Sequence, residues 1–164
     1  MISPFTSPTD NCQGQDISFT NLSTTPTGYL TTWVWDVGDG TPLETISFPA
    51  IPNTTHSYAV TGSFNVTLIV TNSEGCSHSL SRTVNVFGAP TSEFMHSGQC
   101  KDSPVQFTDL TSVSGNQNLT EWYWNFGDPA SGINNLSREQ NPTHSYAAVG
   151  TYTVELITLT ANGC

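Results

Sequence analysis

The sequence predicts two tandem all-β sandwiches joined near residue 88, and two observations support this prediction. Short segments with alternating apolar residues recur along the 164-residue chain, and the sequence repeats itself at a spacing of about 88 positions. Serine, threonine, asparagine, glycine and proline are abundant, whereas charged residues make up only 10% of the chain, a composition typical of β-rich surface proteins. No segment combines helical periodicity with capping residues.

The internal repeat is visible in two blocks, the first offset by 89 residues and the second by 88. WVWDVGDG at 33–40 returns as WYWNFGDP at 122–129, and TTHSYAVTGSFNVTLIVTNSEGC at 54–76 returns as PTHSYAAVGTYTVELITLTANGC at 142–164. Such self-similarity indicates a repeated domain. We therefore predict domains at 1–88 and 89–164, with the boundary in the Gly88-Ala89-Pro90 linker.

Apolar residues alternate with polar ones in several segments of each copy, as expected of strands with one buried face. The examples in the first copy are Ile17 and Phe19, then Trp33, Trp35 and Val37, then Phe64, Val66, Leu68 and Val70. About 85 residues of short antiparallel strands around one buried tryptophan are typical of an immunoglobulin-like sandwich. Since the counterpart of Cys76 is the final residue, Cys164, we expect the second sandwich to lack its last strand and the chain to be a fragment of a longer protein.

The charge balance limits the class of partner. Three basic residues face thirteen carboxylates, which gives a formal net charge of -10, so phosphate backbones and anionic lipid surfaces would be repelled. No apolar run approaches the ~20 residues that span a bilayer. We expect no nucleic acid and no membrane insertion; the remaining partners are other domains of the parent chain, a glycan or a surface protein.

Several spaced motifs resemble the PKD (polycystic kidney disease) domain, whose hallmarks are a W-D-F-G-D-G run, an H-x-Y and a G-x-Y-x-V stretch. The resemblance covers nearly the whole chain, twice. The residues that carry this signature are Trp35, Asp36, Gly38, Asp39, His56 and Tyr58 in the first copy, and Trp124, Asp128, His144 and Tyr146 in the second. The second copy departs from the pattern at Asn125, which replaces the first aspartate, and the first departs at Val37, which replaces the phenylalanine.

The resemblance implies a function as well as a fold. It implies an extracellular or cell-surface location, with similarity to surface proteins of the Bacteroidetes type, and a non-catalytic module that acts as a spacer or makes adhesive contacts with protein or glycan. The alternative that it implies is an accessory carbohydrate-binding module of a secreted enzyme that degrades polysaccharide or protein.

Two constellations resemble catalytic sites, and the residues argue against both. Asp36 and Asp39 have the character of an acid and base pair, but the second copy has Asn125 at the first position. His56 and Ser57 are adjacent, so on a strand they point to opposite faces and cannot share a hydrogen bond. We therefore expect no enzyme, and interpret Gly38 to Gly40 as a tight turn to which His56 ties its strand.

Two binding hypotheses remain open. The oxygen atoms of Asn21, Ser23, Asp36 and Asp39 would suit calcium if these residues converge, and some PKD domains bind calcium; no other cofactor is expected. Trp33 and Trp122 lie two residues before the core tryptophans and on the same strand face. Their rings either stack on a sugar or complete the rim of the core.

The four cysteines, Cys12, Cys76, Cys100 and Cys164, are expected to form disulfides, as in other surface proteins. Pairing within each copy would join Cys12 to Cys76 and Cys100 to Cys164. In an immunoglobulin-like topology, however, the two cysteines of one copy lie at opposite ends of the sandwich. The second scheme joins Cys12 to Cys164 between the copies and leaves Cys76 and Cys100 for other repeats.

Overall fold

The structure, a computed structural model, describes residues 4–8, 11–98, 100, 103–114 and 117–164. The chain divides into two compact units, Met1–Phe87 and Gly88–Cys164. The division lies one residue before the boundary that the repeat predicts. Nearly all of the regular structure is antiparallel β sheet, so the all-β prediction is confirmed.

In the described part of the first unit, seven strands form two sheets. One sheet has the order β1-β2-β5 and the other the order β4-β3-β6-β7, which is the sandwich arrangement of two antiparallel layers. The strands are β1 (Phe5–Thr6), β2 (Asp16–Asn21), β3 (Leu30–Asp36), β4 (Glu44–Ser47), β5 (Thr54–Ser57), β6 (Gly62–Asn72) and β7 (Ser77–Val86).

The core of the first unit is an aromatic cluster between the sheets. Trp35 of β3 is 1% exposed, and its ring lies 5.2 Å from that of Phe5 and 5.9 Å from that of Phe19. Its indole Nε1 donates to the carbonyl oxygen of Pro52 at 3.1 Å, so the only polar atom of the side chain is satisfied. Alternate residues of the strands fill the rest of the core because successive side chains of a strand point to opposite faces.

The second unit repeats this plan with differences in its sheets. Its described residues form sheets with the orders β14-β10-β9 and β13-β12-β15, and a short pair β11-β8. The strands are β8 (Pro90–Thr91), β9 (Phe94–Ser97), β10 (Pro104–Asp109), β11 (Ser112–Val113), β12 (Leu119–Asn125), β13 (Leu136–Ser137), β14 (Thr143–Ser145) and β15 (Glu155–Thr160). Trp124 is buried against Phe94 and Phe107, with ring centroids 5.1 and 5.6 Å apart.

The turn after β12 of the second copy folds as a short 3-10 segment. It covers Pro129–Asn135 and is interrupted at Gly132, whose φ is +62° and ψ is −124°. Among the described residues it is the one helical element. Proline at the first helical position and a glycine in a conformation that other residues rarely adopt explain why this segment turns tightly and does not extend the sheet.

The structure contains a disulfide but not the pairing within each copy. Cys12 and Cys164 each take part in a disulfide, whereas Cys76 and Cys100 are free and exposed. In the first unit, Cys12 forms a β-bridge with Phe87, just after the end of β7, while Cys76 directly precedes the start of β7. A ten-residue strand is about 33 Å long, whereas bridged Cα atoms lie within about 7 Å. Topology therefore prevents Cys12 from reaching Cys76.

We expect differential alkylation to divide the cysteines in the same way. In denaturant without reductant, iodoacetamide should label Cys76 and Cys100, and Cys12 and Cys164 should react only after dithiothreitol is added, because a disulfide resists alkylation regardless of exposure. Mass spectrometry of chymotryptic peptides measures the four sites separately, whereas trypsin would leave Cys12 and Cys76 on one peptide because the first basic residue is Arg82. Labelling of Cys12 before reduction, or protection of Cys76, would contradict this assignment.

Candidate functional site: the signature residues and an exposed aromatic pair

The turn after β3 is held by hydrogen bonds within the segment. The backbone N–H of Gly38 donates to Oδ1 of Asp36 at 2.9 Å. Gly38 has a φ of +79°, and a Cβ there would lie 2.6 Å from the carbonyl oxygen of Asn65. Only glycine fits this conformation and this close approach to β6, so the turn places Asp39 at a defined position beside β5.

Asp39 is the centre of a small hydrogen-bond network. Its Oδ1 accepts hydrogen bonds from the backbone N–H and the hydroxyl of Thr41 at 3.0 and 2.7 Å, and its Oδ2 lies 2.6 Å from Nε2 of His56. Burial by itself would raise the pKa of this carboxyl. The hydrogen bonds from Thr41 and His56 outweigh burial and lower the pKa from 3.8 to about 2. Asp39 is therefore ionised across the physiological range.

Tyr58 ties the same turn to the core. Its hydroxyl donates to the carbonyl oxygen of Val37 at 2.8 Å, and its ring stacks on Phe64 at 4.2 Å. Burial, together with the charges of Asp39 and Asp36, raises the pKa of Tyr58 to about 12, so the phenol remains a neutral donor. We call the set of Asp39, His56 and Tyr58 the clasp, since it joins the turn after β3 to the end of β5.

The second copy builds the same clasp from its own residues. Oδ2 of Asp128 lies 3.1 Å from Nε2 of His144, and the hydroxyl of Tyr146 donates to the carbonyl oxygen of Phe126 at 3.0 Å. Asn125 accepts from the N–H of Gly127 at 3.0 Å, as Asp36 does for Gly38. An amide oxygen thus replaces the carboxylate in this role, and no negative charge is needed at that position.

The hydrogen bonds of the clasp stabilise the fold and do not form a catalytic pair. The polar atoms of Asp39 and Tyr58 are engaged in bonds within the fold, and Ser57 lies on the exposed side of β5 while His56 lies towards the turn. A nucleophile and base must share a hydrogen bond. The structure brings His56 to Asp39 and does not bring it to Ser57.

The proposed calcium ligands do not converge in the structure. Asp39 contacts His56, which pairs with Ile17 near the start of β2, whereas Asn21 ends β2, four residues or about 13 Å further along the strand. Oδ1 of Asn21 already accepts from the N–H of Ser23 at 3.1 Å and from its hydroxyl at 2.5 Å. Within the described ranges, no group of three or more acidic, histidine or cysteine residues suits a metal. Calcium binding remains a prediction without a preformed site.

The two tryptophans considered for sugar stacking belong to the cores of their units, and this corrects the stacking hypothesis. Trp33 is 5% exposed. Trp122 packs against the second core, and its Nε1 donates to Oδ2 of Asp109 at 2.8 Å. Hydrogen bonds from Thr111, Trp122 and Gln140 outweigh the effect of burial and lower the pKa of Asp109. Both rings complete the core because residues two apart on a strand share its buried face.

An exposed aromatic pair in the first unit escaped the sequence patterns. Tyr29 and Phe48 are 58% and 63% exposed, and their ring centroids are 5.7 Å apart. Tyr29 precedes β3 and Phe48 follows β4, and the N–H of Phe48 donates to the carbonyl oxygen of Thr31 at 2.9 Å. Neither ring belongs to an alternating run, and only strand pairing brings them together. The positions 88 or 89 residues later hold no aromatic residue. This difference between the copies is the sequence signal that the pair has a role outside the common fold.

A family model of the PKD domain matches residues 1–87 and again residues 88–164. The chain belongs to the PKD domain family. Collagenase ColA of Bacillus cereus is 41% identical over 59 residues, which are 36% of this chain and 6% of the collagenase. The chain therefore spans a small fraction of this curated relative.

Solved structures provide two further likenesses. A PKD domain of the Vibrio cholerae metalloprotease PrtV is 28% identical and covers 51% of this chain and 93% of that chain, with a TM-score of 0.43. The fibronectin(III)-like modules of CbhA from Clostridium thermocellum are 15% identical and cover 99% of this chain and 87% of that chain, with a TM-score of 0.52. The second likeness shows the β-sandwich fold alone.

We expect Asp39→Asn to weaken the first PKD domain by about 1 to 3 kcal/mol at neutral pH, since a charged hydrogen-bond acceptor is lost. The folded-state pKa of Asp39, about 2, lies below its ordinary value. The stabilisation is therefore complete above about pH 4 and is lost as the pH falls towards 2. Urea denaturation between pH 2 and 7 should show a smaller acid dependence in the variant.

Asp36→Asn is the matched control for this experiment. It removes a carboxylate three residues away and keeps the acceptor for Gly38, as Asn125 does in the second domain. We expect a change within about 0.5 kcal/mol. Equal losses in the two variants would show that charge alone, and not the clasp, stabilises this turn.

Proposed function

We propose that this chain is a non-catalytic module of an extracellular or cell-surface protein, in which the two PKD domains hold neighbouring domains apart and present them to their targets. The observation that carries the proposal is the repeated clasp. The same residues occur in both copies and bond within the fold, through Asp39 and His56 and through Asp128 and His144. A feature repeated in every module is typical of a structural role.

The relatives and the surface chemistry support this proposal. A collagenase contains a segment similar in sequence to this chain, so a module of this kind occurs within a larger enzyme. The net charge of -10 favours solubility and disfavours binding to nucleic acid. Among the described residues, no helix has the length and apolar character needed to cross a membrane.

A turnover assay tests the non-catalytic role. The purified chain should release no peptide from gelatin or casein and no reducing ends from soluble polysaccharides above the level of buffer. Asp39→Asn, which removes the carboxylate closest to His56, should give the same result. Turnover by the chain that is abolished in this variant would overturn the proposal.

The exposed pair Tyr29 and Phe48 favours a second candidate, a glycan-binding accessory module. Aromatic faces stack on the apolar faces of sugar rings, and these two rings are 58% and 63% exposed with their centroids 5.7 Å apart. Adjacent exposed apolar side chains mark interaction surfaces more often than scattered ones do. The second domain lacks this pair, so binding would belong to the first domain.

We expect the double variant Tyr29→Ala and Phe48→Ala to lose at least about tenfold in affinity for any glycan that the chain binds on an array, which corresponds to about 1.4 kcal/mol. Tyr123→Ala is the control, because that ring lies in the second domain under the guanidinium of Arg138, 4.7 Å from its centroid. Equal binding by all three proteins would exclude the pair as a sugar platform. An array on which the chain binds nothing would leave the spacer role and reject the glycan role.

A further inference from the structure

The peptide bond that follows the aspartate of the clasp differs between the two domains. In the first domain Asp39 precedes Gly40, whereas in the second Asp128 precedes Pro129. Proline makes the nitrogen of this bond a tertiary amide without an N–H, and such a nitrogen accepts a proton more readily than that of a secondary amide. The bond from Asp128 to Pro129 is therefore one that the carboxyl group of the aspartate itself can cleave.

Two hydrogen bonds point at the carbonyl oxygen of this bond. The backbone oxygen of Asp128 accepts from the N–H of Ser131 at 3.0 Å and from its hydroxyl at 2.7 Å. The N–H of Asp128 donates to Oδ1 of Asn135 at 2.6 Å, so the two ends of the 3-10 turn are tied together around the bond. Donors fixed on a carbonyl oxygen stabilise the negative charge that develops there when a nucleophile attacks the carbon.

The turn of the first domain directs its donors to a different group. There the N–H and the hydroxyl of Thr41 donate to the side-chain Oδ1 of Asp39. Burial alone would raise the pKa of this carboxyl, but these bonds and the contact with His56 lower it to about 2. The clasp is common to both domains, and only the second turn activates the backbone carbonyl beside it.

A carboxyl group and a histidine lie together in the interior of the second domain. Asp128 and His144 are 6% and 5% exposed, and Oδ2 of Asp128 lies 3.1 Å from Nε2 of His144. The ring of Tyr146 packs against the imidazole with centroids 4.5 Å apart. Burial, together with the charge of Asp128, raises the pKa of Tyr146, so this phenol stays neutral. A protonated histidine at this position can pass its proton to the aspartate.

The side chain of an aspartate is placed to react with the carbonyl carbon of its own residue. Attack by a carboxyl oxygen closes a small ring, a cyclic anhydride, and a nucleophile held in this way has an effective concentration of about 10⁵ M or more when it is well oriented. Carboxyl groups act as nucleophiles in other enzymes. The second domain thus holds a nucleophile, a polarised carbonyl and a proton donor around one peptide bond.

We propose that the second domain cleaves its own chain once, at the bond between Asp128 and Pro129, through an internal anhydride of Asp128. Oδ1 of Asp128 attacks the carbonyl carbon, the bond to the nitrogen of Pro129 breaks, and this nitrogen takes up the proton that His144 has given to Oδ2. Water then hydrolyses the anhydride, which leaves a carboxylic acid at the new C-terminus and an amine at Pro129. The reaction consumes one water molecule and alters only this chain, so it is independent of the proposed non-catalytic role towards other molecules.

Prolonged incubation of the purified full chain tests the proposal. Samples are reduced with dithiothreitol, which separates fragments that a disulfide would join, and their masses are measured. We expect fragments 1–128 and 129–164 to accumulate, and to do so faster at about pH 5.5 than at pH 8, because histidine takes up a proton in this range. The native chain should be cleaved at least about tenfold faster than the chain unfolded in urea at the same pH, because only the fold aligns the reacting groups. Cleavage after Asp39 should stay at background.

Three variants separate the parts of the site. Ser131→Ala removes the hydroxyl donor to the carbonyl oxygen and should slow cleavage by at least about tenfold. His144→Gln keeps a hydrogen-bond donor for the aspartate but supplies no proton, and a loss of at least about tenfold is expected. His56→Gln makes the same change in the first domain and is the matched control, with an unchanged rate. Near-UV circular dichroism checks that each variant is folded, and Ser131→Ala alone decides if His144→Gln is not.

Hydroxylamine at about pH 6 traps the anhydride and identifies the mechanism. An anhydride of Asp128 reacts with this amine, so part of the fragment 1–128 should end in a hydroxamic acid, which is heavier than the acid by one NH group. A contaminating protease that acts by hydrolysis leaves the acid alone. The trapped fragment should be absent from the chain unfolded in urea.

Three results would overturn the proposal. Equal or slower cleavage in the native chain than in urea would reduce the reaction to the ordinary acid lability of a bond between aspartate and proline. An unchanged rate in Ser131→Ala would show that the bonds to the carbonyl oxygen do not promote cleavage. Fragments that never carry the hydroxamic acid would show that no anhydride forms.

Discussion

The packing of one tryptophan between the two sheets of each unit is the interaction on which the remaining structure depends, because small sandwiches have few large side chains with which to build a core. Trp35 and Trp124 are each 1% exposed and lie against phenylalanines of the opposite sheet. Each indole N–H reaches a backbone carbonyl oxygen, so burial leaves no polar atom unpaired. The strands on either side take their register from this centre, since a slip of one residue would turn the indole outwards.

The clasp follows from the position of that tryptophan. The turn begins directly after the strand that carries Trp35, so it lies at the end of the core. There His56 of the opposite sheet reaches the carboxylate of Asp39, and the hydroxyl of Tyr58 reaches the carbonyl oxygen of Val37. Hydrogen bonds that cross between sheets resist sliding of one sheet over the other. The second unit has the same hydrogen bond between histidine and aspartate in different surroundings. Phe126 stacks on His144 with ring centroids 4.5 Å apart, and this histidine is more buried than His56.

The two units share their interiors and differ in their surfaces. The first unit has an exposed aromatic pair at Tyr29 and Phe48, while the second has a 3-10 turn at Pro129–Asn135. Repeated modules that act through binding contacts and not through catalysis are expected to share their interiors and to differ at their surfaces. The functional differences within this chain are therefore expected at these surfaces and not at the clasp.

The sequence by itself determined the β-sandwich class, the repeat and the core, because alternation of side chains along a strand is a local property that Trp33, Trp35 and Val37 display directly. It also indicated that Asp39 caps a turn and that His56 lies near it. Tertiary structure decided which residues meet when they belong to segments far apart in the chain. Asn21 and Asp39 lie at different ends of β2, Cys12 and Cys76 at different ends of β7, and Tyr29 meets Phe48 only because β3 pairs with β4. Strand pairing and register, which no single segment encodes, determine these separations.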